Sequence, residues 1–251
     1  MKKTYSCELV SKTELCKGVY DFVVKAPEIA DAAQIGQFLH INCGGKTLLR
    51  RPISICDFGE DFVRFAFQVK GDGTELLAQR EVGDFIDILG PLGHGFEAQE
   101  GKKAVVIGGG IGVFPLLGLA RKTDSAVFLG FRTKDLVVME DDYNEASKNV
   151  TICTDDGSYG YNGFAIAAMG EYILENKVDI IYCCGPKPML KAVKQIAEYN
   201  NIPCQLSLEE RMGCGIGACL TCVCETKDEG MGKYKQVCTC GPVFDSKEVV
   251  L

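Results

Sequence analysis

Six cysteines crowd into residues 214–240, and four of them fall within eleven positions of RMGCGIGACLTCVCET, residues 211–226. Cys214, Cys219 and Cys222 are spaced C-x4-C-x2-C, and Cys238 follows after fifteen residues. This is the plant-type spacing of a 2Fe–2S cluster, whose two irons are held by four thiolates. The intervening GIGA lets the backbone wrap closely and turn N–H groups towards sulfur, because glycine reaches conformations closed to other residues. A tetrahedral zinc site is the alternative. It favours paired C-x2-C knuckles, and the C-x-C at 238–240 is a candidate second half. A disulfide knot is the third reading, and it needs an oxidising compartment. Cys224 and Cys240 are surplus to four ligands. Cys222 and Cys224 lie two apart and would share one face of an extended segment, so Cys224 stays open as an alternative to Cys222.

Several other segments could hold nucleotide phosphates. AVVIGGGIGVFPLLGLA places Gly108, Gly110, Ile111 and Gly112 between an apolar run and a helix-like stretch. There a pyrophosphate can approach the backbone at a helix N-terminus. Val113 stands where G-x-G-x-x-G would have its last glycine. DIIYCCGPKPML ends a second apolar run at Cys184, Gly185 and Pro186, and TICTDDGSYG ends a third at Asp155 and Asp156. Ligands of open parallel sheets gather at such strand ends. LLRRPISICDF joins Arg51, Pro52, Ile53 and Ser54. An arginine and a hydroxyl there can grip a diphosphate, and proline fixes the backbone between them. FQVKGDGTELL carries Gln68, Val69 and Lys70 into a turn through Gly73 and Thr74, with N–H groups expected to be free for phosphate. Ordinary turns and barrel corners are the plain alternatives at each place.

These groups need scaffolds. Residues 1–98 alternate at period two in GVYDFVVKA, GQFLHINC, DFVRFAFQVK and GDFIDILGPLG, which predicts an antiparallel β-barrel. From residue 99 to 209 short continuous apolar runs alternate with helical segments, such as GFAIAAMGEYILENK and KPMLKAVKQIAEYNN. That pattern predicts a doubly wound parallel sheet. Residues 210–251 are too few to fold without a staple. The remaining cysteines, Cys7, Cys16, Cys43, Cys56, Cys153, Cys183, Cys184 and Cys204, are scattered and read as small core residues, Cys184 apart.

The 251-residue chain is 47% hydrophobic, enough for sizeable cores, and its net charge of −7 argues against nucleic acid or anionic membranes as partners. The opening MKKTYSCELV has no apolar run after its lysines, so a cytoplasmic protein is expected.

RPIS and QVKGDGT resemble the flavin segments of the ferredoxin–NADP reductase superfamily, and GGGIGVFP and CGPKPM resemble its nicotinamide-nucleotide segments. SLEERMGCGIGACLTCVCET and QVCTCGPVF resemble, more specifically, the electron-transfer subunits of class B dihydroorotate dehydrogenases. The resemblance runs over essentially the whole chain. It implies a FAD-binding barrel at 1–98, with Arg51 towards the pyrophosphate and Ser54 beside it. It also implies a NAD-binding α/β domain at 99–209 and a 2Fe–2S domain at 210–251. An FMN-containing catalytic subunit would be the partner, in two copies of each. Together they would oxidise dihydroorotate and pass electrons through the cluster and FAD to NAD, in pyrimidine (UMP) biosynthesis.

A flavin joins one-electron to two-electron carriers, so it belongs between a cluster and a nicotinamide. The chain offers no base for dihydroorotate. Its two histidines, His40 and His94, read as surface or packing residues. Asp155 and Asp156 would accept a free ribose hydroxyl and repel a 2′-phosphate, favouring NAD, whereas Arg132 and Lys134 pull the other way. Met212, Ile216, Leu220 and Val243 are candidates for a docking face. Two other readings compete: an NADH–ferredoxin or sulfide-type reductase subunit built from the same modules, and a zinc adaptor without catalysis.

Overall fold

The structure, a computed structural model, describes residues 3–45 and 47–251; Met1 and Lys2, at the start of the stretch read for an export signal, lie outside them. The first six strands are β1 (Thr4–Cys16), β2 (Val19–Lys25), β3 (Phe38–Asn42), β4 (Arg51–Phe58), β5 (Phe62–Gln68) and β6 (Phe85–Leu92). They close an antiparallel barrel in the order β1-β2-β5-β4-β3-β6. In β6 the alternation is complete, with Ile86, Ile88 and Leu92 inward or packed and the residues between them more exposed. Two short helices, α1 (Pro27–Ala32) and α2 (Asp72–Ala78), span the connections. Leu9, Phe22, Val24, Leu39, Ile41, Phe65, Leu77 and Ile88 fill the barrel.

The second unit contains β7 (Lys103–Gly109), β8 (Asp124–Phe131), β9 (Asn149–Thr154), β10 (Tyr161–Asn162), β11 (Ile180–Cys184) and β12 (Cys204–Ser207). Its helices are α3 (Leu117–Lys122), α4 (Glu140–Ala146), α5 (Ala165–Glu175) and α6 (Lys187–Tyr199). The five buried residues in a row in β7, Ala104 to Gly108, are what a strand covered on both faces requires. The strand order β10-β9-β8-β7-β11-β12 reverses direction at β7, so the crevice for a ligand opens beyond the carboxyl ends of β7 and β11. One expectation needs correcting here. The chain does not enter a regular helix after Gly109; it makes a 3-10 stretch from Gly110 to Leu116 that holds Pro115, which has no N–H to donate, and α3 is only six residues long.

The cysteine-rich segment adds β13 (Val223–Glu225) and β14 (Tyr234–Gln236) as a hairpin, then α7 (Val237–Cys240) and β15 (Val243–Asp245). β15 pairs antiparallel with β12 and becomes the seventh strand of the central sheet. Cys222, Cys224, Val237, Cys238 and Phe244 share one apolar cluster with Val105, Ile107, Cys183 and Leu206 of the sheet and with Phe38 and Leu92 of the barrel. The staple expected for this small segment is therefore in large part a common core. Lys194 of α6 adds to it by donating to the carbonyl of Val249.

Barrel and sheet meet through a second apolar cluster that takes in Val19, Cys56 and Ala66 with Val113, Phe114 and Leu117. Arg64 of β5 bonds to Asp142 of α4, and Arg121 of α3 to Asp57 of β4, across the same boundary.

Candidate functional site

Residues 213–222 form an irregular loop that meets the barrel where Gly215 lies against His40 and ends at the hairpin. Gly215 has φ +69 and Gly217 φ +88, the left-handed region glycine tolerates without strain. This bend brings the N–H groups of Ile216 and Cys219 to 3.4 Å from Cys214 Sγ, where both donate. The loop is tied to the return segment by Val237 N–H donating to the Cys222 carbonyl at 2.7 Å and by Gln236 Nε2 donating to the Gly217 carbonyl at 2.9 Å.

Cys219 thus sits beside Cys214, and Cys238 follows directly on Val237, whose N–H holds the Cys222 carbonyl. Hydrogen bonds from Thr221 and then from Cys214 draw Cys219 down to about 6, while burial and then Cys222 push Cys238 up to about 11. Four cysteines on two segments tied together, with N–H groups already aimed at one sulfur, fit a two-iron centre held by four thiolates. Cys224 is engaged elsewhere: it is buried, lies 3.5 Å from the Lys235 carbonyl, and burial pushes it up to about 11. Cys240 is exposed beside Thr239.

The two expected flavin segments come together. Gly73, at the start of α2, lies against the guanidinium of Arg51, so close that a Cβ there would be 2.7 Å from Arg51 Cζ. Ile53 points into the barrel, while Pro52 and Ser54 alternate to the other face, opposite His40 and Phe38. Gln68 ends β5 opposite Val19, and Val69 N–H donates to the Gly18 carbonyl. The turn differs from expectation in one respect. The N–H groups of Lys70 and Gly71 are not free, because both donate to Thr74 Oγ1, at 2.9 and 3.2 Å.

At the sheet crevice Gly108 is the register partner of Cys184. Gly112 packs on the next strand end, where a Cβ would meet the Cys184 carbonyl at 2.5 Å. Its hydrogen side chain thus serves backbone contact between β7 and β11. Gly110, with φ +54 and nothing within 4 Å of a built Cβ, is the open position, with Ile111 half-buried after it. Gly185 faces Gly109 and the thioether of Met189. Cys184 is pushed up to about 12 by burial, so its thiol is uncharged. Asp155 and Asp156 are exposed beyond β9. Asp156 is held by Ser158, whose N–H and Oγ donate at 3.0 and 2.6 Å, and Lys134 Nζ lies 5.5 Å above the Tyr159 ring beside them.

Residues 209–250 match the model of the iron–sulfur cluster binding domain of dihydroorotate dehydrogenase B. The chain is 46% identical over 218 residues to the dihydroorotate dehydrogenase B (NAD(+)) electron transfer subunit of Caldanaerobacter subterraneus, covering 86% of each chain. It is 41% identical over 256 residues to that of Bacillus cereus (strain Q1), covering 97% of each. The chain belongs to the family of dihydroorotate dehydrogenase B electron transfer subunits. Its fold matches a chain of the NADH-dependent reduced ferredoxin–NADP oxidoreductase with a TM-score of 0.88 and 30% identity, over 100% of this chain and 91% of that one. A ferredoxin reductase of carbazole 1,9a-dioxygenase shares the fold over 80% of the chain, at a TM-score of 0.66 and 23% identity.

Of the two readings of His40, surface or packing, the structure bears out packing, at a place the sequence did not mark: His40 is 1% exposed, its two ring nitrogens make no well-formed hydrogen bond, and it lies under the cysteine loop at Gly215. Burial, then the charge of Arg50, pushes it down to about 4, so the ring is neutral. His94 is exposed, as expected. Of the expected docking residues, Met212 and Val243 pack into the chain's own clusters, whereas Ile216 and Leu220 are 46% and 64% exposed.

Proposed function

We propose that this chain carries electrons between an FMN-containing, dihydroorotate-oxidising subunit and NAD, in a cytoplasmic complex with two copies of each subunit, in pyrimidine biosynthesis. Family membership supports the dihydroorotate link and the need for a catalytic partner. The observation that carries the electron-transfer assignment is a glycine-bent loop seated on barrel residue His40, which gathers Cys214, Cys219 and Cys222 and is tied by hydrogen bonds to the return segment bearing Cys238.

In this reading residues 1–98 bind FAD, 99–209 bind NAD and 210–251 bind the cluster. Arg51 and Ser54 hold the flavin diphosphate, and Thr74 orders the turn that presents Gly73 to Arg51. Gly110 and Ile111 face the nicotinamide dinucleotide, Cys184 and Gly185 line its reactive end as uncharged groups, and Asp155 meets its adenosine ribose. Cys214, Cys219, Cys222 and Cys238 hold the cluster. The bound flavin supplies the exchange between single electrons and electron pairs. No side chain need act as an acid or base on dihydroorotate, which would be oxidised in the partner. Ile216 and Leu220, with the exposed Val223 and Tyr234 of the hairpin, form the apolar face that docks it.

Replacing Cys214, Cys219, Cys222 or Cys238 by Ser is expected to remove most of the iron from anaerobically purified protein, while Cys224→Ser and Cys240→Ser keep it. Normal iron in Cys238→Ser would refute the ligand set. Purification of the native complex tests the partner. If the chain elutes alone and its loss leaves NAD-linked orotate formation intact, the dihydroorotate reading fails and that of a generic reductase subunit replaces it.

A further inference from the structure

Strand β3 buries four residues in a row, Phe38 to Ile41. Leu39 and Ile41 point into the barrel core, and Phe38 joins the cluster shared with the sheet. By the two-residue period of a strand, His40 shares the outward face with Phe38. An outward-facing barrel residue would ordinarily meet water. Here the cysteine loop covers it: the Cα of Gly215 lies so near that a Cβ would be 2.6 Å from His40 Nδ1 and 3.1 Å from Cγ. On the other side, His40 is the register partner of Pro52, within the Arg51–Ser54 segment. One side chain therefore touches both the loop that begins at Cys214 and the strand assigned to the flavin.

Burying an imidazole without a well-formed hydrogen bond is unfavourable. A leucine would fill the same space without that cost, so packing alone does not account for a histidine. The ring nitrogens make no well-formed hydrogen bond within the chain, and the Cys214–Gly215 backbone of the cluster loop, with that of Arg50, is what they approach.

We propose that His40 is a positioning residue of the electron path, whose imidazole donates a hydrogen bond at the Cys214 end of the cluster, seats the cluster loop on the flavin strand, and raises the cluster's reduction potential. The proposal rests on the assignment of Cys214 as a ligand. Hydrogen bonds to the sulfurs are among the determinants of such potentials. A donor stabilises the more negative, reduced cluster.

The test uses the full chain, purified anaerobically with its cofactors. His40→Leu keeps bulk and removes the donor; His40→Gln keeps a donor. Iron and FAD per chain are measured first, then the cluster midpoint by redox titration followed by electron paramagnetic resonance. Both variants are expected to load normally. In His40→Leu the reduced-to-oxidised ratio at a fixed potential is expected to fall about tenfold, ~59 mV for a one-electron couple. His40→Gln should recover most of that shift. An unchanged midpoint and spectrum in His40→Leu would overturn the proposal. Should that variant fail to load, the unmodified protein decides. With nitrogen-15 histidine, pulsed resonance of the reduced cluster is expected to show a histidine nitrogen coupling that survives His94→Gln. Absence of any such coupling would overturn the proposal equally. Absence of iron from the unmodified chain would instead refute the cluster assignment itself.

Discussion

Arg64 is shared by carboxylates from both large units, and removing it should loosen their junction. Its Nε lies 2.9 and 3.1 Å from the two oxygens of Asp21 in β2, and its Nη2 lies 3.1 Å from Asp142 Oδ2 in α4, with Nη1 on the other oxygen. The side chains of Arg64, Asp21 and Asp142 keep only 16%, 12% and 25% of their exposure. In Arg64→Leu the bulk remains, but two half-buried carboxylates lose their shared cation. Removing one partner of a fully buried pair costs about 3–5 kcal/mol. Water reaches this group in part, which reduces the expectation to about 2–3 kcal/mol. At roughly 2–4 °C per kcal/mol for a chain of this size, thermal unfolding should fall by about 4–12 °C. The pH dependence carries a sign. Burial already holds Asp21 above its ordinary 3.8, against the pull of Arg64, and the neighbouring Asp142 and Asp57 add to the rise. A raised carboxyl favours the folded state when protonated, so its contribution is fully present below 3.8 and is lost as pH rises through the folded value. Loss of Arg64 raises Asp21 further, so the deficit of the variant should grow from acid to neutral pH. Urea unfolding at several pH values, followed by circular dichroism, measures it. A difference under about 0.5 kcal/mol at neutral pH would refute the reasoning. So would failure of Asp142→Asn to recover stability in the Arg64→Leu background, since coupled partners depart from additivity by more than about 0.5 kcal/mol.

Gly215→Ala should cost ~1–2 kcal/mol from the positive φ alone. It should also displace the His40 ring, lowering both thermal stability and iron content; equal iron and stability would contradict the packing described. Arg50 donates to Asp87 Oδ2 at 2.7 Å; burial raises Asp87, but the hydrogen bonds from Arg50 and Asn42 outweigh it and hold the carboxyl below its usual 3.8. The stability it contributes is present above 3.8 and lost as pH falls through the lower folded value. Arg50→Ala should thus destabilise at neutral pH by up to about 1 kcal/mol and not at all in strong acid, as chemical denaturation at two pH values will show. A lower Michaelis constant for NADH than for NADPH in dye reduction is expected from the Asp155 carboxylate. The reverse order would shift the assignment to Arg132 and Lys134.

Much of this was legible in advance because single patterns carried it. β6 alternates without interruption, β7 is apolar after its first residue, and the C-x4-C-x2-C spacing needs no tertiary information. β1 was invisible for the opposite reason. Most of its thirteen residues are exposed or half-buried, and it is held by pairing with β2 and β6. β4 hid behind Arg51 and Pro52, which read as a corner though both lie in register with β3. Gly112 reads the same way whether its neighbour is a phosphate or a carbonyl; only the fold places Cys184 against it. The burial of His40 depends on a loop far along the chain, so no local pattern could reveal it. Three-residue β15 is too short to show any period.

That last strand changes what kind of object the cluster-bearing segment is. A carrier on a flexible tether would shuttle, and its transfer rate would depend on solvent viscosity and linker length. Here the final strand is hydrogen-bonded into the sheet through Gln205, Leu206 and Ser207, so the segment is part of the rigid framework and its separation from the barrel is fixed. Electron delivery should then be insensitive to added viscogen. For the same reason the chain cannot be cut cleanly before the segment: a truncation after residue 209 would leave β12 as a bare sheet edge, open to pairing with another molecule.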